Sequence, residues 1–546
     1  MAFRDYDPYE RDYGIVPDIV KQFVVYLYRH IRERNIPEIE SMYEVSFPKL
    51  SDRYFKQGPW PPVDAISDLV DQDHVFCLLY KELYFRHLYA KTQPSLRARC
   101  ESWDNYCDLF GVILHGNVNM LLPNSWLWAM VDEFLYQFQS FAQYRTKLAG
   151  KSAEEIELLK KCDKVWNILD VLNVLQALID KSGIVAELSR DGGAELAAHD
   201  GYIPGQSNVL RMLGYFSLVG QLRVHCLIGD YSTGLQSLFP LNLFERGKLY
   251  TQLLSGCHIT LFYYSSFAYL MLQRYTDAGR CLNAILSYIH RVKQLHARNA
   301  AYDQILKKNE QMYALLALVV GLCPAVQSTL DEHVLVALKD KFGEKLQATL
   351  DEHVLVALKD KFGEKLQRMF RGDEGLFDEA FMYGCPKFIT AAPPAYDNPS
   401  AAGPQEAYLR QRSLFLRQVG GVSRLPLLKQ YLLLYSSISL PKLAGLLETD
   451  EATLRTALAC LKKSNYCLQW DGGRDMTSGS FTSTADIDFY IDVDTATGAE
   501  LVMLSDNITT RHQAELLSRH IVKFEAIVRD LEAPPVAAAA PAQAAY

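Results

Sequence analysis

The side chains best suited to chemistry are the histidines, cysteines and carboxylates, and their spacing argues against most of it. Asp331-Glu332-His333 and its copy Asp351-Glu352-His353 each place two carboxylates and an imidazole in three positions. Both triplets lead into an apolar helical run, where acidic groups oppose the positive end of the helix dipole. They are read as helix first turns and not as metal ligands. The eleven cysteines form no Cys-x-x-Cys, the tightest spacings being Cys100/Cys107 and Cys460/Cys467. That pattern offers neither a zinc site nor a disulfide framework, and reduced thiols in the cytosol are expected. His225 and His290 sit among apolar helical residues, the setting of a hydrogen-bonded interior imidazole. A glycine-rich phosphate cradle, a Walker-type lysine loop, a Gly-x-Ser-x-Gly elbow and His-Glu-x-x-His are all missing from the sequence. The expectation is a non-enzyme with no cofactor, no metal and no small-molecule substrate.

The remaining chemistry is that of interaction, concentrated near the C-terminus. Residues 425–506 run apolar helix, short β-leaning stretch (Ser437 to Leu440), helix from Pro441, tight turn, helix from Glu451, and strand-like runs Tyr466–Trp470, Phe489–Val493 and Glu500–Leu504. That order is a winged helix. Proline is tolerated in a first helical turn, and Asp450, or alternatively Thr449, caps the third helix. Between Leu425 and Ser505 six Lys/Arg face ten Asp/Glu, a net charge of −4. Duplex binding needs several cations on one face. The recognition-helix position offers only Arg455, Lys462 and Lys463, and the wing is acidic. This module is expected to meet protein, through Leu440, Leu443, Leu447, Phe489 and Ile491.

In residues 507–532, Ala514, Leu517, Ile521, Phe524, Val528 and Leu531 recur at steps of three and four between charged residues. That is a seam for one partner helix, with Leu517, Ile521, Phe524, Val528 and Leu531 as its contact set. A terminal helix folded back onto its own domain would show the same spacing. Residues 533–546 are Ala/Pro-rich and compositionally disordered.

The elements that must carry this end are helical. Of 546 residues 49% are hydrophobic and 12% aromatic, enough for a large core, and the net charge of −8 disfavours broad adhesion to nucleic acid or anionic membranes. Residues 1–16 form a polar, Tyr- and Asp-rich arm, expected to be mobile and unlike a signal or transit peptide. The most apolar run, Ala314 to Cys323, is too short to span a bilayer. Residues 17–205 read as an N-terminal helical region. Ile19, Phe23, Tyr26, Leu27, His30 and Ile31 mark one helix face, and Trp60 is expected to plug a gap between helices. Tyr80, Tyr84 and His87 form a core stripe. Further helices are expected to start at Trp103 and near Leu122, the second capped by Asn124 or Ser125, and Gly192 to Gly205 is a looser connection.

Residues 206–424 contain a weak repeat. Tyr215–Leu235 is echoed by Leu261–Gly279, and aligning Tyr231 with Tyr275 gives an offset of 44, which suits stacked helix–turn–helix units with the tyrosine at the turn. Within this region Thr329–Gln347 recurs unchanged as Thr349–Gln367. A 20-residue shift at about 100° per residue rotates the copy by about 200°, so both copies cannot pack alike in one helix. One is expected to pack and the other to be extruded. The prolines of 386–404 mark a connector, followed by an amphipathic helix from about Gln405 to Val419. The expected fold is mainly α, an α-solenoid of helical repeats (TPR/PCI-like) ending in a winged helix and a C-terminal bundling helix.

Longer strings carry a resemblance. They are Tyr-Lys-Glu-Leu-Tyr-Phe-Arg-His-Leu-Tyr-Ala-Lys at 80–91, Leu-Pro-Asn-Ser-Trp-Leu-Trp at 122–128 and Tyr-Gln-Phe-Gln-Ser-Phe at 136–141. Met-Leu-Gly-Tyr-Phe-Ser-Leu-Val-Gly at 212–220 and Asp-Phe-Tyr-Ile-Asp at 488–492 complete the set. From about Ile15 to Leu531 the chain resembles the subunit L family of eukaryotic translation initiation factor three, a PCI-domain family. The duplicated segment and the tail after Glu532 depart from its pattern. The resemblance implies a non-catalytic cytoplasmic subunit that docks to other PCI subunits, joins a shared helical bundle and acts on the small ribosomal subunit, with at most indirect RNA contact. On architecture alone, a PCI subunit of the proteasome lid or the signalosome, or a winged-helix nucleic-acid binder, remains open.

Overall fold

A computed structural model describes residues 16–116, 118–148, 150–245, 249–295, 302–341, 369, 373–394, 396, 405–422, 425–473, 475–483, 487–493, 498–504, 517–525 and 527–528. The chain is mainly helical and divides into two compact units. One comprises residues 1–419 with 468–481, the other 420–467 with 482–546. Among the described residues no helix is long and apolar enough to cross a membrane.

In the first unit, the helix Asp18–Glu33 buries Val20, Phe23, Val24, Leu27, Tyr28 and Ile31. Ile19 and Tyr26, expected on this face, are exposed. The true face is a wider stripe at steps of three and four, and it leaves Ile19 and Tyr26 at its margins. Trp60 fills the expected gap: it contacts Phe23, Phe47 and Phe55, and its indole N–H donates to Ser51 Oγ at 2.9 Å. Tyr80 and His87 are interior, donating to Pro61 O at 2.7 Å and meeting Gly58 O at 2.9 Å, respectively.

One expected helix start and one expected cap are corrected. Trp103 lies inside Leu96–His115, because Ser95 caps the Ala98 N–H and starts that helix earlier. Pro123 takes the cap position of Asn124–Thr146. Asn124 instead donates to Asp200 O at 2.7 Å and accepts from Asn208 at 2.9 Å.

The 44-residue echo is a repeated turn. Val209–Ile228 is followed by Tyr231–Gln236, and Ser255–Met271 by Tyr275–Leu295, so Tyr231 and Tyr275 each open the second helix. Gly229 and Gln273 both adopt left-handed φ, of 88° and 61°. The same pair of bonds closes both turns: Gly229 to Cys226 O and Asp230 to His225 O, then Gln273 to Leu270 O and Arg274 to Tyr269 O. These are Schellman closures, which satisfy the last carbonyls of each first helix. The Glu406–Val422 helix crosses both turns. Gln411 accepts from Tyr231 at 2.8 Å, and Gln418, two helical turns on, donates to Met271 O at 3.4 Å.

Of the duplicated segment, Glu332–Lys341 is a helix with Val334 and Leu338 fully buried. The copy at 349–367 lies outside the described residues, as do residues 1–15 and the tail 533–546.

The second unit holds the helices Leu425–Leu434, Leu440–Leu446 and Glu451–Ser464, with β1 (Ser437–Ser439), β4 (Phe489–Val493) and β5 (Glu500–Leu504). The antiparallel sheet runs β1-β5-β4, with Val502 of β5 opposite both Ile438 and Ile491. Asp450 caps the third helix through the Thr453 N–H, and Leu428, Leu432, Leu443, Leu454, Leu458, Leu461, Phe489 and Val502 form the core. A separate hairpin joins β2 (Tyr466–Gln469) to β3 (Ser480–Ser483), a strand the sequence did not announce.

Two stability predictions follow from the first unit. A Cβ on Gly214 would lie 2.0 Å from Ser182 Oγ and 3.0 Å from Leu178 O, so two helices meet backbone to backbone there. Gly214→Ala is expected to cost about 1–3 kcal/mol, read as a lowered thermal midpoint; an unchanged midpoint would contradict that packing. Glu133 sits in an interior network with Arg86 and Gln137, and burial pushes its carboxyl up to about 7. A raised acid pKa contributes stability below the unfolded value of about 4.3 that is lost as pH rises through about 7. Glu133→Gln is expected to flatten the melting temperature between those limits, and an equally sloped profile in the variant would assign the slope elsewhere.

Candidate interaction surface

The structure divides the five expected winged-helix contacts. Leu440, Leu443 and Phe489 lie in the core of the second unit and offer nothing to a partner. This corrects their placement at an interface: Leu440 and Leu443 lie one helical turn apart, turned toward the Glu451–Ser464 helix, and Phe489 closes the inner face of the sheet. Leu447 is half-buried against the same core. Ile491 is 45% exposed, although it shares the inner face with Phe489. β4 is an edge strand, and beyond Phe489 the helices no longer cover it. Tyr490 and Val493 are exposed beside Ile491. An edge strand is the usual template for strand addition, and on this one the Phe489 and Val493 N–H groups already donate to Asp488 and Asp492 at 2.9 and 2.8 Å.

Two cations of this unit are paired internally. Arg455 pairs with Glu500 of β5 at 2.8 Å, and Lys462 pairs with Asp488 while donating to Phe489 O at 2.8 Å. Lys442 lies 5.2 Å from the centroid of the Tyr435 ring. A phosphate backbone would have to displace carboxylates from both Arg455 and Lys462.

A terminal helical stretch is described over residues 517–525 and 527–528. Leu517, Ile521, Phe524 and Val528 are 50–64% exposed, and Val522 and Ile527 extend the apolar surface. Leu531 and Ala514 lie outside the described residues. The helix therefore carries a broader uncovered apolar face than a two-position seam.

The tip of the β2–β3 hairpin, Leu468–Phe481, belongs to the first unit. Trp470 is buried there, its backbone N–H donating to both Asp277 oxygens at 3.1 Å and its indole N–H to Asp475 O at 3.0 Å. Arg274 donates to Asp277 at 2.8 Å, to Met476 O at 3.0 Å, to Thr477 O at 2.9 Å and to Ser478 O at 3.1 Å. Tyr269 adds a bond to Met476 O at 3.1 Å, and Arg280 lies 4.1 Å over Phe244 and 5.7 Å over Trp470. Burial pushes the Asp277 carboxyl above its ordinary value, and the Arg274 guanidinium opposes that shift. Sequence reasoning passed over this site. Its one signal was a tryptophan set before Asp471-Gly472-Gly473, in turn residues where a large aromatic has no local partner.

Among the described residues no group of three or more His, Cys, Asp or Glu is arranged to hold a metal ion. Cys100 and Cys162 approach to 3.8 Å, and burial together with Cys162 pushes the Cys100 thiol up to about 12, away from reactivity.

A family model described as RNA polymerase I-associated factor PAF67 matches residues 98–349 and 347–524. The two matches meet at the junction between the duplicated copies. The chain is 40% identical over 525 residues to eukaryotic translation initiation factor 3 subunit L of Nematostella vectensis, covering 95% of this chain and 93% of that protein. It is 37% identical over 550 residues to the proteins of that name from Xenopus tropicalis and Homo sapiens, covering 96% of this chain and 92% of each.

Asp277→Ala is expected to leave the Trp470 N–H without its acceptor and Arg274 without its carboxylate, held only by backbone carbonyls, costing about 3–5 kcal/mol locally. Hydrogen exchange should accelerate at Trp470 and across 475–478, and Trp470 emission should shift to the red. Unchanged exchange at those amides would show that Asp277 does not hold the hairpin.

Proposed function

The chain belongs to the family of eukaryotic translation initiation factor 3 subunit L, and from that membership we propose that it is a non-catalytic scaffold of the initiation complex. The family supports a role in translation initiation. On our reading the second unit is a winged helix and the first a PCI-type solenoid, together docking to other PCI subunits and supporting pre-initiation assembly and mRNA recruitment on the small ribosomal subunit in the cytoplasm. RNA contact would be indirect, and no membrane or small-molecule substrate takes part.

The observation that carries this reading is the uncovered apolar face of Leu517, Ile521, Phe524 and Val528. Six exposed apolar side chains on about three helical turns are costly to leave in water, at about 25 cal/mol per Å2 of apolar surface, and a partner helix relieves that cost. The β4 edge at Tyr490, Ile491 and Val493 supplies a second docking element that needs a protein strand rather than a phosphate. A place in the proteasome lid or the signalosome would use the same architecture, and the family membership favours the initiation complex. The nucleic-acid reading would require salt-sensitive RNA or DNA binding by this module, and the internal pairing of Arg455 and Lys462 weighs against it.

Leu517→Asp combined with Phe524→Asp is expected to release the chain from its complex, while the helical circular dichroism of the chain alone changes little. Sedimentation of extract should show the parent chain moving with the small ribosomal subunit after RNase trimming and the variant near the top of the gradient. If the variant co-sediments like the parent, the terminal helix is not the docking element. If the parent moves as a large particle free of ribosome, another PCI assembly is its home.

A further inference from the structure

The first unit gathers cations at one point that its own carboxylates do not balance. Arg223, on Val209–Ile228, is more than nine-tenths buried and pairs with Asp132 of Asn124–Thr146 at 2.5 Å. Its Nε–H is buried without an acceptor among the described residues. Lys308, on Tyr302–Leu322, places its ammonium 4.1 Å from the centroid of the Tyr263 ring. Lys307 stands exposed beside it. The segment carrying Lys387 is pinned between these helices. Tyr263 donates to Gly384 O at 2.8 Å, Gln139 to Lys387 O at 2.7 Å, and the Ile389 N–H to Leu227 O at 3.0 Å.

Among the described residues the acids near this group are Asp132, Glu133 and Glu310, the last already accepting from Tyr383 at 2.7 Å. Asp132 is engaged by Arg223, and burial pushes the Glu133 carboxyl up to about 7, which removes much of its charge near neutrality. The Lys308 ammonium is pushed down to about 8, by burial first and then by Arg223, with Lys307 and Lys387 acting in the same direction. Clustered, partly desolvated cations without counter-charges are costly in an isolated chain, and an anion brought by a partner would relieve them.

We propose that Arg223, Lys307, Lys308 and Lys387 form a docking site for an acidic peptide segment of a partner protein, whose carboxylates pair with Lys308 and Lys387 above the Arg223–Asp132 pair. Geometry favours a peptide over RNA. Single-stranded nucleic acid needs cations strung along a track and exposed aromatic faces for stacking. Here the segments that carry the cations are tied together through Tyr263, Gly384 and Leu227, and Tyr263 and Tyr264 are buried. A flexible Glu or Asp side chain can meet a single compact cluster of this kind without a track of further cations on either side. The site is independent of the terminal helix and of the role proposed above, so it can be tested on the isolated full chain.

The test is fluorescence anisotropy of a labelled hexaglutamate peptide titrated with the full chain at physiological ionic strength. Lys308→Met with Lys387→Met should weaken binding about tenfold or more, while Lys442→Met with Lys463→Met should change it less than about twofold. Asp132→Asn, which frees Arg223, should tighten it several-fold and provides a reading if the Met variant melts early. The proposal fails if the parent chain does not bind the peptide. It also fails if both lysine pairs weaken binding equally. Tighter binding of a labelled oligouridylate, lost with the same two lysines, would assign the site to RNA and overturn the peptide reading.

Discussion

A helix pair closed by a left-handed turn can bury one face by itself and must stack to bury the other. That constraint organises the first unit. Val209–Ile228 and Ser255–Met271 are buried on nearly every side, which a helix reaches only when neighbours enclose it all round. The Schellman closures at Gly229 and Gln273 turn each chain back at the same point. The Glu406–Val422 helix then spans both turns through Gln411 and Gln418. Stacking is thus fixed at the turns as well as along the faces, and the repeat is a mechanical unit despite its weak sequence echo.

How much of this could be read from the sequence depends on the range of the interaction. The turn at Tyr231 and Tyr275, the Asp450 cap and the Trp60 plug rest on local chemistry, and each is where its residue types place it. The start of Leu96–His115 is set by the Ser95 cap and not by the aromatic residues from Trp103. The face of Asp18–Glu33 was misjudged because Ile19 and Val20 are equally apolar, and only the neighbouring helices choose between them. The hairpin at Trp470 was invisible because its partners, Arg274 and Asp277, lie about 200 residues earlier.

Interface and core are harder to separate, because both are apolar and periodic. Phe489 and Ile491 differ by one strand repeat, point the same way and have similar hydrophobicity, yet one is interior and the other exposed. What separates them is where the helices stop covering the sheet, a property of three helix lengths together. The terminal helix is the opposite case. Its apolar residues are 46–65% exposed over the described residues, so burial does not separate the face that the spacing marks from the rest of the helix.

Charge follows the same logic, since its meaning depends on pairing and not on count. Arg455 and Lys462 sit where a nucleic-acid-binding helix would place them, but Glu500 on β5 and Asp488 just before β4 already occupy them. Moving either cation to phosphate would leave a carboxylate behind, so the net gain is the difference between two similar contacts and falls further with salt. Arg274 shows the reverse. Its guanidinium serves one carboxylate and three carbonyls in a dry site, and no competing anion could satisfy those carbonyls. A cation held mainly by one carboxylate at the surface can be exchanged, while a cation holding several backbone carbonyls is structural. The lysines at 307, 308 and 387 belong to neither kind: Asp132, the carboxylate that attracts Lys308, is already paired with Arg223.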